Sequence, residues 1–135
     1  MSIFAVELFE SIRKDGGLKF YKLLEDGKAQ IDSFYDELCA DKKLLKDFNV
    51  ILTCMNIVAD NDYILPKEKV NSIKDGDKEI AIEFKKNELR VYCVKKAPNV
   101  FVVYGGYKKN QKKDIEKLKR LLKDIGDINN LEIIE

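Results

Sequence analysis

The sequence predicts an α+β fold: a small, mostly antiparallel sheet with a helical hairpin packed on one face and a C-terminal helix. Residues 79–104 contain three strand-like segments separated by polar turns. Residues 28–59 carry apolar side chains at helical spacing, in two helices with almost no linker. Residues 111–125 repeat that spacing. At 135 residues the chain supports one core, so residues 1–135 are expected to form a single domain.

The N-terminal part is expected to supply one strand, Ile3–Phe9. The segment 11–27 follows and is interpreted as a possible insertion, because it is polar and broken by Gly16-Gly17. Within it, Leu18–Glu25 has mixed periodicity and predicts one or two helical turns closed by Asp26-Gly27.

The helical hairpin is predicted from two adjoining stretches. Lys28–Cys39 places its apolar residues on one helical face. Asp41 is expected to cap the second helix, which runs to about Ala59 and carries an apolar stripe broad enough to pack on both a sheet and a helix. Tyr63–Lys78 is predicted to be a connection without strands.

Three consecutive strands follow. Glu79–Phe84 alternates polar and apolar residues, and Lys85-Lys86-Asn87 forms a polar turn. Leu89–Val94 is rich in β-branched and aromatic residues and ends at the turn Ala97-Pro98-Asn99. Val100–Tyr104 is apolar throughout, as expected of a central strand covered on both faces.

The third of these strands leads into the candidate site. It runs into Gly105-Gly106 and then Tyr107-Lys108-Lys109, which delivers positive charge to one edge of the sheet and predicts a phosphate site. Asn110 is expected to cap the last helix, Gln111–Ile125, which Gly126 ends. The tail 127–135 contains LEII and is expected to dock as a short strand or to bind a partner.

Charge is distributed unevenly. Residues 67–125 hold 17 Lys and Arg against 9 Asp and Glu, whereas residues 1–66 hold 8 against 12. This favours a polyanion as partner, although lysine-rich surfaces are also common simply because they keep a protein soluble.

Several classes of function are disfavoured by composition. The chain contains no histidine, and its three cysteines, Cys39, Cys54 and Cys93, lack C-x-x-C spacing, so no metal site and no cofactor are predicted. The cysteines are expected to be reduced core residues of a cytoplasmic protein. No membrane span and no signal peptide are predicted.

The region 79–123 resembles the RelE/ParE superfamily of toxins, within it the HigB-like branch of bacterial toxin–antitoxin modules. Arg90 stands near the start of the penultimate strand, in ELRVYC. A hydrophobic strand leads to the element Gly106-Tyr107-Lys108-Lys109, and a helix start of the form QKK followed by acidic residues comes next, in Gln111–Glu116. The element order β-α-α-β-β-β-α also matches that family.

The resemblance implies a ribosome-dependent mRNA endonuclease that needs no metal and is neutralised by a small helix-turn-helix antitoxin. In such a reaction a ribose 2′-OH attacks its own 3′ phosphate, so cations at the phosphate oxygens stabilise the transition state. The residues expected to act in catalysis are Arg90, Lys109, Lys108 and Tyr107. Those expected to bind RNA are Lys85, Lys86, Tyr92, Lys112 and Lys113.

Other interpretations remain open. Arg90 is also expected to pair with Glu83 or Glu79 on the neighbouring strand if it is structural. Family members carry lysines on the first of the three strands, where this chain has Ala81 and Glu83; an acid there is consistent with a general base or with lost nuclease activity. The alternative functions are a ParE-like toxin that inhibits gyrase, a non-catalytic RNA- or protein-binding domain on the same fold, and a purely structural subunit.

Overall fold

Eight strands form one sheet in the computed structural model, which describes residues 1–61 and 65–135. The strands are β1 (Phe4–Leu8), β2 (Lys19–Glu25), β3 (Lys28–Ala29), β4 (Val70–Asp75), β5 (Lys78–Lys86), β6 (Leu89–Lys96), β7 (Asn99–Tyr107) and β8 (Glu132–Ile134). The helices are α1 (Gln30–Leu38), α2 (Lys42–Asn61) and α3 (Gln111–Ile125). The strand order is β4-β5-β6-β7-β2-β1-β8, with β3 paired to the end of β2.

Most neighbouring strands are antiparallel, as predicted. Two pairs are parallel: β1 with β8, and β2 with β7, where Lys19–Lys22 lies along Asn99–Val102. The parallel pair β2–β7 joins the N-terminal strands to the three strands expected from the sequence. The α+β class and the mostly antiparallel sheet are therefore confirmed.

The sheet is covered on both faces, and each face has its own core. Val91 and Cys93 of β6 belong to the apolar core that contains α1 and α2, here called the hairpin face. Tyr92 and Val94 of the same strand belong to the core that contains α3, here called the α3 face. The C-terminal helix thus lies on the side opposite the helical hairpin.

The prediction of helical turns over Leu18–Glu25 is wrong, because this segment forms β2. Phe20 and Leu24 are buried on the hairpin face, whereas Leu23 is buried on the α3 face. A strand covered on both faces loses the polar–apolar alternation by which strands are recognised. Its pairing with β1 and β7 fixes the strand conformation, and a short sequence window does not contain those partners.

The prediction of a connection over Tyr63–Lys78 is also wrong where that segment overlaps β4; its residues 63–64 lie outside the described residues. β4 pairs antiparallel with β5 at the edge of the sheet. Of its six side chains only Ile73 is buried, so the segment is too polar to be recognised as a strand. The tail docks as β8 beside β1, one of the two predicted outcomes. With these added strands, β-α-α-β-β-β-α is not the order of the whole chain.

The polar segment 11–27 closes the end of α2 as well as contributing β2. The Leu18 amide donates to the Ala59 carbonyl at 3.0 Å, and the Gly17 amide donates to the Asp60 carbonyl at 3.3 Å. A Cβ on Gly16 would overlap the Ala59 carbonyl. These contacts satisfy carbonyl groups that a helix end otherwise leaves without partners.

The predicted helix ends agree with the structure in part: Lys28–Ala29, predicted as the start of the first helix, form β3, and α1 begins at Gln30. Asp41 Oδ1 accepts from the amides of Lys43 and Leu44, at 2.9 and 3.2 Å, and so caps α2. Asn110 makes no side-chain capping bond; α3 instead continues from a short 3-10 helix over Lys108–Asn110. Gly126 ends α3 with a φ of 76°.

The cysteines are only partly as predicted. Cys54 and Cys93 are buried, but Cys39 is exposed at the end of α1. All three are free thiols. Burial raises the pKa of the Cys93 thiol, which keeps it protonated and unreactive.

Candidate functional site

The end of β7 lies against the turn between β5 and β6. In register, Lys86 of β5 is opposite Leu89 of β6, and Leu89 is opposite Tyr107 of β7. The Lys108 amide donates to the Glu88 carbonyl at 2.7 Å, which joins the residues after β7 to this turn. Since neighbouring strands are about 4.8 Å apart, the backbones of Lys86 and Tyr107 are roughly 10 Å apart.

Lysines from three chain segments lie at this end of the sheet, and Lys85 and Lys86, adjacent on β5, point to its opposite faces. The lysines lie at the end of β5, in the 3-10 helix after β7, and in the first turn of α3. This group, here called the lysine rim, consists of Lys85, Lys86, Lys108, Lys109, Lys112 and Lys113. The last four are exposed, and the two on β5 are half-buried. Within residues 1–61 and 65–135 no ion pair engages any of them, so their charge is available to an anion.

Tyr107 borders the rim on the hairpin face. Its ring packs edge-on against Phe34 with the ring centroids 5.5 Å apart, and its hydroxyl donates to Glu37 Oε2 at 2.9 Å. Partial burial, together with the Glu37 carboxylate, raises the pKa of Tyr107 to about 12. The hydroxyl is therefore protonated at neutral pH. Glu37 was not predicted from the sequence, because α1 and β7 come together only in the folded chain.

Arg90 lies on the α3 face and is 8% exposed. Its Nη1 donates to the carbonyls of Asn87 and Leu89, at 2.8 and 2.7 Å. The predicted grouping of Arg90 with Tyr107 is thus wrong in its geometry, because the two side chains leave the sheet on opposite faces. Residues 90 and 107 stand on adjacent strands one register position apart, and side chains alternate along a strand.

Neither acid proposed as a structural partner of Arg90 takes up its guanidinium hydrogen bonds. Glu83 is 1% exposed and accepts from Gln111 Nε2, at 2.9 Å on Oε1 and 3.0 Å on Oε2. Glu79 accepts from the Ser72 hydroxyl at 2.6 Å. The predicted pairing of Arg90 with Glu83 or Glu79 is therefore wrong, and Arg90 donates to backbone carbonyls instead.

Tyr92 shares the α3 face with Arg90 but is fully buried. Its ring packs edge-on against Tyr104, whose hydroxyl donates to the Asp114 carbonyl in the first turn of α3. Burial, reinforced by the carboxylates of Glu83 and Asp114, raises the pKa of Tyr92. Because α3 covers it, Tyr92 presents no surface on which a nucleobase can stack, in contrast to the prediction.

Comparison with known proteins adds no assignment: no protein-family model matches the chain, and no curated protein shows a significant match. No described helix is long and apolar enough to cross a membrane. Among the residues that the structure describes, no cluster of three or more His, Cys, Asp or Glu side chains is arranged to hold a metal ion. The candidate functional site is therefore the lysine rim and its neighbours.

Proposed function

We propose that this protein is a toxin of the RelE/ParE type that binds mRNA through the lysine rim and cleaves it as a metal-free endoribonuclease. The observation that carries the proposal is a set of lysines from three chain segments at one end of the sheet, none of them ion-paired within the described residues, beside a hydrogen-bonded Tyr107–Glu37 pair. Its partners are the ribosome with its mRNA in the cytoplasm and a small helix-turn-helix antitoxin. The partners and the location belong to the proposal because they follow from the resemblance of residues 79–123 to that superfamily.

Recognition at the rim is through phosphate rather than through bases. Lysine ammonium groups act as point charges on phosphate oxygens, and such contacts carry no sequence information. Tyr92, the aromatic residue expected to stack on a base, is buried under α3. We therefore expect the rim to contribute affinity, with any codon preference arising from the position of the mRNA on the ribosome.

The proposed reaction moves two protons. Glu37 takes the proton of the 2′-OH, the 2′ oxygen bonds to phosphorus, and a 2′,3′-cyclic phosphate forms as the bond to the 5′ oxygen breaks. Tyr107 protonates the leaving 5′ oxygen, which as an alkoxide is far more basic than a phenolate. Transfer of the proton from Glu37 back to Tyr107 along their 2.9 Å hydrogen bond restores both groups. Lys108 and Lys109 stabilise the charge that develops on the phosphate.

The direct test is induction of the protein in a bacterium, followed by mapping of the 5′ ends of transcripts. We expect growth arrest and new ends within a translated reporter. A matched reporter that lacks its start codon should remain intact, because cleavage requires the ribosome. Cleavage of neither reporter would contradict the proposed function.

Glu37→Gln should lower the cleavage rate about 100-fold while leaving the affinity for RNA within about twofold, since acid–base groups typically contribute 10²–10⁴-fold to rate. The amide still accepts a hydrogen bond from Tyr107 but cannot take up a proton. Tyr107→Phe should have a similar effect. Both changes are measured as single-turnover cleavage rates on programmed ribosomes, together with binding of a short oligouridylate.

Asp36→Asn is the matched control, because Asp36 is an exposed acid that precedes Glu37 on α1. It should cleave at the wild-type rate. A Glu37→Gln protein that cleaves as fast as the Asp36→Asn protein would remove Glu37 from the reaction.

A non-catalytic RNA-binding domain is the second candidate, and one observation favours it. Arg90 and Tyr92, two residues implied to act on RNA, are 8% and 0% exposed. This candidate predicts salt-dependent RNA binding with no new transcript ends and no growth arrest. A gyrase inhibitor would instead produce an SOS response that is insensitive to Lys109→Ala.

A further inference from the structure

The turn Asn87–Glu88 is held by three different parts of the fold. From β6, Arg90 Nη1 donates to the Asn87 carbonyl. From α2, Asp47 Oδ1 accepts from Asn87 Nδ2 at 3.1 Å. From the residues after β7, the Lys108 amide donates to the Glu88 carbonyl at 2.7 Å. The turn is thus fixed on both faces of the sheet.

Two of these contacts use buried charged residues. Asp47 is 6% exposed and Arg90 is 8% exposed. Each has an atom without a hydrogen-bond partner among the described residues, Oδ2 of Asp47 and Nε of Arg90. A buried polar atom without a partner destabilises a fold, so such atoms call for an explanation in function or in strain.

The turn that they hold lies between lysines of the rim. Lys86 directly precedes it, and the amide bonded to it belongs to Lys108. Asn87 has a φ of 50°, in the left-handed region that asparagine tolerates better than most residues. A change in the turn would move the lysines of β5 relative to those that follow β7.

We propose that Asp47 and Arg90 are positioning residues that hold the turn Asn87–Glu88, and through it set the spacing of the rim lysines on a single-stranded RNA backbone. Arg90 then acts on the turn instead of on a phosphate. The inference rests on the proposed RNA binding, but it assigns Arg90 a role different from the one that the resemblance implies. It also adds Asp47, which the sequence did not single out.

Replacement of Asp47 by alanine tests the inference through the direction in which the affinity for RNA changes. Asp47→Ala makes the protein more positive, so charge alone would tighten binding to oligouridylate. If Asp47 positions the turn, the opposite is expected. The affinity should be about fivefold to tenfold weaker, because the conformation in which the lysines are correctly spaced is less populated. Asp47→Asn retains the acceptor for Asn87 Nδ2 and should bind within about twofold of wild type. Tighter or unchanged binding by Asp47→Ala overturns the inference.

The salt dependence separates positioning by Arg90 from direct contact. A lysine that neutralises one phosphate contributes roughly 0.7 to the slope of log affinity against log salt for a single strand, so Lys109→Ala should lower the slope by that amount. Arg90→Met should weaken binding and leave the slope unchanged. A loss of slope equal to that of Lys109→Ala would show that Arg90 contacts phosphate and would overturn its assigned role.

Amide exchange tests the turn without RNA. The Lys108 amide should exchange faster in Asp47→Ala and Arg90→Met than in wild type, while amides in the second half of α2 remain protected. Wild-type exchange rates at Lys108 in both variants overturn the inference. Failure of the wild-type protein to bind RNA at all would overturn the proposed function separately. Asn87→Gly, which suits the positive φ but lacks the amide bonded to Asp47, should reproduce the Asp47→Ala exchange rate.

Discussion

Replacement of both Lys108 and Lys109 by alanine should reduce mRNA cleavage by at least about 100-fold, because loss of even one group that stabilises a developing oxyanion typically lowers the rate 10²–10³-fold. Both side chains are exposed in the short 3-10 helix between β7 and α3, so their loss should leave the fold intact. The amide that Lys108 donates to Glu88 is retained in the variant, and the turn keeps that contact. The measurement is the single-turnover rate of cleavage on programmed ribosomes.

The matched control removes the same amount of charge elsewhere. Lys28 on β3 and Lys123 in the last turn of α3 are exposed and lie outside the lysine rim. Lys28→Ala/Lys123→Ala should cleave at close to the wild-type rate. Equal loss in both double variants would mean that only net charge matters, and the rim would then have no special role.

Gly105→Ala should destabilise the protein by about 1–3 kcal/mol, the usual range for overpacking a core. A Cβ on Gly105 would overlap the ring of Phe34, which is 7% exposed and packs against both Phe48 and Tyr107. The ring cannot move away without disturbing α1 or the Tyr107–Glu37 pair. Urea unfolding monitored by circular dichroism gives the change in the free energy of unfolding.

Gly106→Ala is the control for this prediction. Its Cβ would meet the Asp114 carboxylate, the mobile end of a side chain at the start of α3. That carboxylate can rotate, so the loss of stability should be below about 1 kcal/mol. Equal destabilisation by the two substitutions would show that the packing of Phe34 does not govern this part of the sheet.

The three helices could be predicted because each carries its own apolar spacing, and residues 79–104 could be predicted because their turns are polar. β2 could not, since its two buried faces hide its alternation and its partners are distant in sequence. β4 could not for the opposite reason, because an edge strand with one buried side chain lacks an apolar pattern.

In the candidate site, too, some residues could be predicted from the sequence and others could not. The charge of a lysine is known from its identity alone, so the lysines beside the β5–β6 turn and after β7 could be identified from the sequence. The contacts of Arg90 could not, because they depend on the turn bringing the carbonyls of Asn87 and Leu89 within 2.8 Å of its guanidinium group. Glu37 and Asp47 reach the site from helices that precede the three strands, and no local pattern distinguishes them from other acids.

The pairing of β2 with β7 also determines when during synthesis the molecule can become complete. Lys19 lies beside Asn99, so a nascent chain that ends before β7 contains β1, β2 and both hairpin helices but lacks the strand that joins them to β5 and β6. Contacts this distant in sequence slow folding, because the intervening chain must be ordered first. The residues after β7 emerge later still. A partly translated chain that ends before β7 therefore lacks both the joined sheet and the rim lysines that follow β7.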